Sequence, residues 1–516
     1  MAELMNTRHL IATLELSVYL QKEPMAFTSI KFLFLYLPLF LIIYYSLPSR
    51  FRNISILLFS LLLIFEFDHI RALILLFSIC LNYYFGRLIN KKGQDWVLVL
   101  GIFLNILLLS VFKYHLLLLD IVYVAGDMIS CPVPKFHDLS SLVLPVGISF
   151  YTFRAISYLV DVYRRKTEPE KNFIDFATWL AFFPLLIAGP IARYTELKRD
   201  LHARKPSFQQ IAFGTERFII GLARKVLVAN TLGAVADQIF SVPVVDISTP
   251  MAWLGLVSYT MQIFFDFAGY TDMAIGIGMM LGFTFPENFN YPYISRNIRE
   301  FWRRWHMTLS SWLRDYIFLP VAYYNSKKWK KDVYAGINTN NLLYTVATMI
   351  TFIICGFWHG SSLSFVIWGI YYAIFMILEQ VALKRMLTKL WLPLQHLYTM
   401  LVIMGGWVLF RTTGLDQAMH FYQKLFVYSA GSASLNSYIS FFTINRETFL
   451  MLIIAIILST PLMSILKTKF MAVSGRLKWS GLTYNLLRLS FMFLLLLVSL
   501  SYVTAQTYNP FIYFRF

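Results

Sequence analysis

Long apolar runs, each closed by a short polar or basic patch, set the rhythm of this chain. They fall at roughly 27–47, 53–66, 71–86, 96–119, 142–160, 226–244, 251–281, 341–357, 361–379, 394–410, 448–466 and 482–505. Many approach the roughly 20 residues that carry a helix across a bilayer. Two further apolar segments, 173–191 and 306–325, fit the alternation of sides less well. No internal repeat or low-complexity linker divides the series. The pattern predicts a single all-α polytopic membrane protein of about 11–12 transmembrane helices plus re-entrant segments.

Basic residues orient the series, because Lys and Arg gather on the cytoplasmic side. Arg50 and Arg52, then Arg87, Lys91 and Lys92, then Arg164, Arg165 and Lys166 mark that side. Loops 120–140 and 241–250 carry one Lys and no Arg between them, so they read as external. Segment 173–191 has basic residues at both ends and breakers at Pro184, Gly189 and Pro190, which predicts a re-entrant path. Segment 306–325 lies between Arg296–Arg304 and Lys327–Lys331 and invites the same reading. Basic clusters also flank the stretch from Leu342 to Leu378, which at 37 residues is too long for one crossing. That stretch should fold back at Gly356, Gly360, Ser361 and Ser362.

Composition agrees with this class. Hydrophobic residues make up 58% of the 516, aromatics 17% and charged residues 14%, against about 25% charged in soluble domains. The net charge of +18 sits in clusters between apolar runs. It therefore reads as membrane topology, and no nucleic-acid partner is expected. Cys80, Cys131 and Cys355 are widely spaced, giving neither a disulfide framework nor a zinc pattern. Residues 1–24 carry Glu3, Arg8, Glu15, Lys22 and Glu23 without an uninterrupted apolar core. They do not look like a signal peptide. We read 1–24 as a dispensable extension, with Met25 an alternative start, and 25–516 as one membrane domain.

Three stretches carry candidate chemistry. The first is GFWHG at 356–360, inside a run with no Asp, Glu, Lys or Arg from Val333 to Leu378. Gly356 and Gly360 form a GxxxG, a packing device of membrane helices, and His359 could simply bond a neighbouring helix. An intramembrane ionisable residue is nevertheless a functional candidate by default. The second stretch is PENFNYPYISRNIREFWRRWHMTLSSWLRDYIFLP at 286–320. Ser295 or Asn297 can cap a helix there. Trp302, Trp305, Leu309 and Trp312 fall on one face of it; Arg299, Arg303 and His306 fall on another. That describes an interfacial amphipathic helix, either a headgroup anchor or a mouth for a phosphorylated donor with His306 directed inward. The third is FFDFAGYTDMAIGIG at 264–278, where Asp266 and Asp272 are read as structural partners of Tyr or Arg or as a proton relay. Histidine suits proton transfer because its ordinary pKa, about 6.5, lies near working pH. No HxxxH, HExxH or Cys/His cluster accompanies either histidine, so no metal is expected.

FDFAGYTDMAIG, the 286–320 block and GFWHG together resemble the membrane-bound O-acyltransferase family. AFFPLLIAGPIARY at 181–194 and the C-terminal NPFIYFRF join the resemblance, which covers roughly Met25 to Phe516. It is closest to the bacterial branch of alginate O-acetylation and teichoic-acid D-alanylation proteins. The resemblance implies a ring of helices around a thin, funnelled catalytic core in the bacterial cytoplasmic (inner) membrane. A cytoplasmic acyl thioester such as acetyl-CoA would be the donor substrate, with no cofactor bound. A periplasmic or surface carrier protein and a polysaccharide acceptor would be the partners. It places the family's invariant histidine on His359 and its upstream polar partner on His306. One departure stands out: VAYYNSKKWKKD follows Pro320, where alginate-type relatives carry a Gly-Gly-Asn-Arg turn.

The expected mechanism makes His359 the general base on an acceptor hydroxyl, or on a partner's nucleophile. His306 either positions the donor or stabilises developing charge, and Arg299, Arg303 and Arg304 hold donor phosphates. No GxSxG offers a serine nucleophile, and Ser361 and Ser362 read as helix caps. Two other classes also accommodate intramembrane Asp and His: a proton-coupled transporter, and a non-enzymatic scaffold for polysaccharide export.

Overall fold

A computed structural model describes residues 27–89, 95–115, 117–119, 122–123, 143–334, 336–432, 445–466, 468 and 481–505. The N-terminal extension, Lys91 and Lys92, most of loop 120–140 with Cys131, and the NPFIYFRF end lie outside them. Within the described residues the fold is helical apart from one short hairpin pairing Val333–Tyr334 with Ile337–Asn338.

Among the described residues six helices are long and apolar enough to cross a membrane: Asp95–Lys113, Phe208–Ser241, Thr339–His359, Leu363–Lys389, Leu392–Arg411 and Asn485–Ala505. Other apolar runs form shorter helices, among them Arg52–Asp68 (17 residues), Ile148–Tyr163 (16) and Arg446–Leu458 (13).

The innermost element is Thr249–Met280, 32 residues long and buried along most of its length. It lies against the Phe208–Ser241 helix at backbone distance. A Cβ added at Gly221 would stand 2.6 Å from the Gly269 carbonyl oxygen, and one at Gly276 2.6 Å from that of Gly214. A buried ion pair and a half-buried cluster pin the same helices together. Lys225 meets Asp266 at 2.8 Å, and Arg217 meets Asp272 at 3.0 Å with Arg224 on the other carboxylate oxygen.

Segment 173–191 holds a nine-residue helix, Phe173–Ala181, and a turn at Pro184, too short to span. Segment 306–325 departs from its re-entrant expectation. Met307–Leu313, a π turn at Arg314–Phe318 and Leu319–Lys328 run on as one helix with no fold-back. Pro320 lies just after the π turn at Arg314–Phe318, and the helix runs through it without a break. Midway, Asp315 accepts from Arg193 at 2.8 Å, and its carbonyl accepts from Arg164. The helix therefore leaves the core for the basic face.

Leu342–Leu378 does fold back. Thr339–His359 ends at Gly360, and Ser362 caps the returning Leu363–Leu378 helix by accepting the Ser364 N–H at 3.2 Å. Cysteines placed singly at Lys328 and Lys384, in a background without Cys80, Cys131 and Cys355, should both react with an impermeant reagent from the cytoplasmic side only. Labelling from opposite sides would refute the hairpin topology.

Candidate active site

His359 is the last residue of the Thr339–His359 helix and is only 8% exposed. Rings surround it: Trp358 at 4.6 Å between centroids, Trp368 at 4.9 Å and Phe410 at 5.0 Å. Its nitrogens make no hydrogen bond among the described residues. It thus has no packing partner of the kind a merely structural histidine would bond.

The end of this helix is held from outside. Lys113 donates to the Trp358 carbonyl and stands 5.8 Å over the Trp358 ring, and Tyr114 donates to the Phe357 carbonyl at 2.6 Å. A cation at a helix C-terminus is favourable because it meets the negative end of the dipole. Asp95–Lys113 and Thr339–His359 both start at the basic face, so their ends meet toward the opposite one. A cavity of about 240 Å³ opens there, lined by Lys113, Gly147, Ile187, Trp358 and His359 among others. The sequence reading missed Lys113. The available signal was a lone lysine inside the 96–119 apolar run, near the end where positive charge is scarce.

His306 sits between the two short helices Ile298–Arg304 and Met307–Leu313, with φ 41° and ψ 54°. A left-handed conformation at a non-glycine residue is strained and persists where surrounding contacts impose it. Here the Met307 N–H donates to the Asn288 carbonyl at 2.9 Å, and the Asn288 side chain holds His306 and Thr308. His306 is 1% exposed, with Phe267 edge-on at 4.7 Å and Trp358 at 6.3 Å. Trp358 thus touches both histidines, and the two Trp-His pairs of the sequence converge around one indole. Asn288 was another residue the sequence reading passed over.

The aromatic stripe of this block faces protein, which corrects the interfacial-anchor picture. Trp302 meets Trp368 at 5.8 Å, Trp305 meets Trp407 at 5.0 Å, and Trp312 stacks on Phe153 at 4.1 Å. Periodicity gives the face of a helix but not what covers it. Asn297, rather than Ser295, provides the cap, accepting the Glu300 N–H at 2.8 Å.

Two cavities approach from the basic face and share Arg299 and Arg303. One, about 570 Å³, also meets Arg304, Lys384, Glu300 and Glu379. The other, about 530 Å³ and more apolar, continues past Trp302, Ser310 and Thr351 to Cys355. Cys355 lies one helical turn before His359 on the same helix. Arg304 pairs with Glu300 at 2.9 Å, and Arg299 binds Gln380 at 2.5 Å. Arg303 has no ion pair among the described residues. Asp266 and Asp272 are ion-paired to Lys225, Arg217 and Arg224, and neither histidine hydrogen-bonds an Asp among the described residues.

One group has metal-like spacing, Glu170, Asp175 and His202. Its carboxylates are already engaged without an ion: Glu170 by Tyr194 and His202 (3.0 Å), Asp175 by Asn53 (2.5 Å) and Asn172 (2.9 Å).

His359 thus lines a cavity on one face, while two cavities from the basic face share Arg299 and Arg303, and one of these reaches Cys355, a turn away. Sequence relationships supply the chemistry. Residues 170–410 match the sequence model of the membrane-bound O-acyltransferase family. A probable alginate O-acetylase AlgI from Azotobacter vinelandii is 36% identical over 95% of this chain and 100% of its own length. A peptidoglycan O-acetyltransferase from Helicobacter pylori is 29% identical over 95% and 97%. A teichoic acid D-alanyltransferase from Bacillus subtilis is 31% identical over 53% and 68%. The chain belongs to the membrane-bound O-acyltransferase family. It is a multi-pass membrane acyltransferase that uses an acyl donor, which sets aside the transporter and scaffold readings.

Proposed function

We propose that this protein is an O-acetyltransferase of the bacterial cytoplasmic membrane. It takes acetyl from cytoplasmic acetyl-CoA and delivers it to an extracytoplasmic polysaccharide, directly or through a periplasmic or surface carrier protein. The observation that carries this reading is the position of His359. It lines the outer cavity, while Cys355, one turn earlier, lines the cavity that begins at Arg299 and Arg303. A thioester threaded from the basic face and a hydroxyl from the other would meet at that turn, making the attack effectively intramolecular.

In the proposed step His359 takes the proton of the acceptor hydroxyl as its oxygen bonds to the thioester carbonyl carbon. The carbon–sulfur bond then breaks, and the proton passes to the departing thiolate. Arg299, Arg303 and Arg304 hold the donor phosphates. Acetyl is preferred over D-alanyl because the relatives named for O-acetylation align over 95% of the chain and the D-alanyltransferase over 53%. Asp266 and Asp272 serve this reading as struts, since each carboxylate is held by a cation on the neighbouring helix.

Transfer of labelled acetyl from acetyl-CoA in proteoliposomes tests the function, and absence of transfer to any outer acceptor or carrier would overturn it. Arg299→Gln and Arg303→Gln should raise the apparent acetyl-CoA KM more than they lower kcat. About tenfold is expected for loss of one charge-assisted bond. Arg303, whose guanidinium is not held by another side chain among the described residues as Arg299 is by Gln380, should show the larger effect. An unchanged KM with normal yield would remove the arginines from donor binding.

A further inference from the structure

The His306 ring is held in a way that decides which of its nitrogens carries the proton. Asn288 is fully buried, and its Oδ1 receives three contacts: the Thr308 N–H at 3.2 Å, the Thr308 hydroxyl at 2.8 Å and His306 Nδ1 at 2.9 Å. A backbone N–H can only donate, so the atom facing Thr308 must be the amide oxygen and not its NH₂. The Thr308 hydroxyl accepts the Ile191 N–H at 3.0 Å, which leaves its own proton for Asn288. An oxygen that accepts from all sides requires a donor at His306 Nδ1. In the neutral ring, Nε2 is then the atom with the lone pair. That Nε2 is buried and has no hydrogen-bond partner among the described residues. Buried polar atoms are nearly always satisfied, and exceptions concentrate where a substrate completes the bond.

Resting on the acetyl-transfer reading, we propose that Asn288 is a positioning residue that fixes His306 as the Nδ1–H tautomer, so that Nε2 accepts an N–H of the donor's amide arm. This chooses between the two roles open to His306. A ring without a proton on Nε2 cannot donate to a developing oxyanion, but it can receive one of the amide N–H groups of a pantetheine-type thioester. His306 directly precedes Met307 and its carbonyl accepts the Ser310 N–H at 3.0 Å; both residues line the cavity leading from Arg299 and Arg303. The donor arm would pass that wall on its way to His359. No other atom in this network can replace Asn288 Oδ1, since Thr308 N–H and His306 Nδ1–H both need an acceptor at the same point.

Two measurements test the assignment. Nitrogen NMR of the full-length protein with labelled histidine, in lipid, should show His306 protonated at Nδ1; a His306→Gln sample assigns the signal. This readout needs no turnover, so it stands apart from the success or failure of the transfer assay. In that assay Asn288→Leu, which cannot accept, should raise the acetyl-CoA KM about tenfold or more. Asn288→Asp, which keeps all three contacts, should stay within a few-fold of the parent protein. A plain scaffolding role would leave KM unmoved in any Leu variant that folds. An Nε2–H tautomer in the parent protein would overturn the proposal even if the Leu variant fails to fold. So would an unchanged KM in a folded Leu variant.

Discussion

His359→Ala should abolish acyl transfer while the protein still inserts and binds acetyl-CoA. Loss of a general base lowers rates by about 10²–10⁴, a drop that a membrane assay resolves from background. His359→Gln is the sharper variant. The amide fills much of the ring's space and can still hydrogen-bond, but it cannot take a proton near neutral pH. If His359 only filled the pocket between Trp358, Trp368 and Phe410, Gln would rescue what Ala destroys. Its nitrogens make no bond within the described chain, so the fold should lose little in either variant. Both should be inactive at normal folded yield, with acetyl-CoA binding retained. A Gln variant with near-full turnover would end the assignment of His359 as base.

The helices and the fold-back were legible because they follow from local rules. A run of 37 residues with basic flanks cannot cross once, and Gly360-Ser361-Ser362 supplies the turn that Ser362 then caps. His359 stood out for a similar reason: a histidine in an uncharged run needs an explanation. What stayed hidden depends on contacts between distant segments. Asn288 is one asparagine among several in FPENFNYPYISRN, and nothing local shows that its oxygen is shared by His306 and Thr308. Lys113 meets Trp358 across 245 residues of chain. The 298–313 stretch keeps helical spacing through Trp305 and His306, so periodicity gave one continuous helix. The left-handed turn at His306 is held by Asn288, whose carbonyl takes the Met307 N–H and whose side chain bonds His306 and Thr308. The Trp stripe was legible as a stripe, but whether lipid or protein covers it is a tertiary fact.

The second large effect separates the hairpin's architecture from its chemistry. A Cβ added at Gly369 would stand 2.2 Å from the Phe352 carbonyl oxygen, and one at Gly356 2.4 Å from that of Phe365. Both obstacles are backbone, so relief requires the two helices to move apart. Replacing Gly by Ala in a helix is otherwise favourable by about 1 kcal/mol. Overpacking of about 1–3 kcal/mol or more works against that gain, and here no rotamer change can reduce it. Gly356→Ala and Gly369→Ala should therefore lower folded yield and the aggregation temperature in detergent, losing acetyl-CoA binding and turnover together. Gly360→Ala should behave differently, because its new methyl meets the Phe365 ring at 2.5 Å, a side chain able to swing. Phe365 lies 6.5 Å from His359 and 5.2 Å from Phe410, centroid to centroid, so its displacement disturbs the base more than the fold. That variant should keep its yield and donor binding while kcat falls. If Gly369→Ala folds and turns over like the parent, the close helix contact does not hold the site together. The register of His359 over the donor cavity would then need another cause.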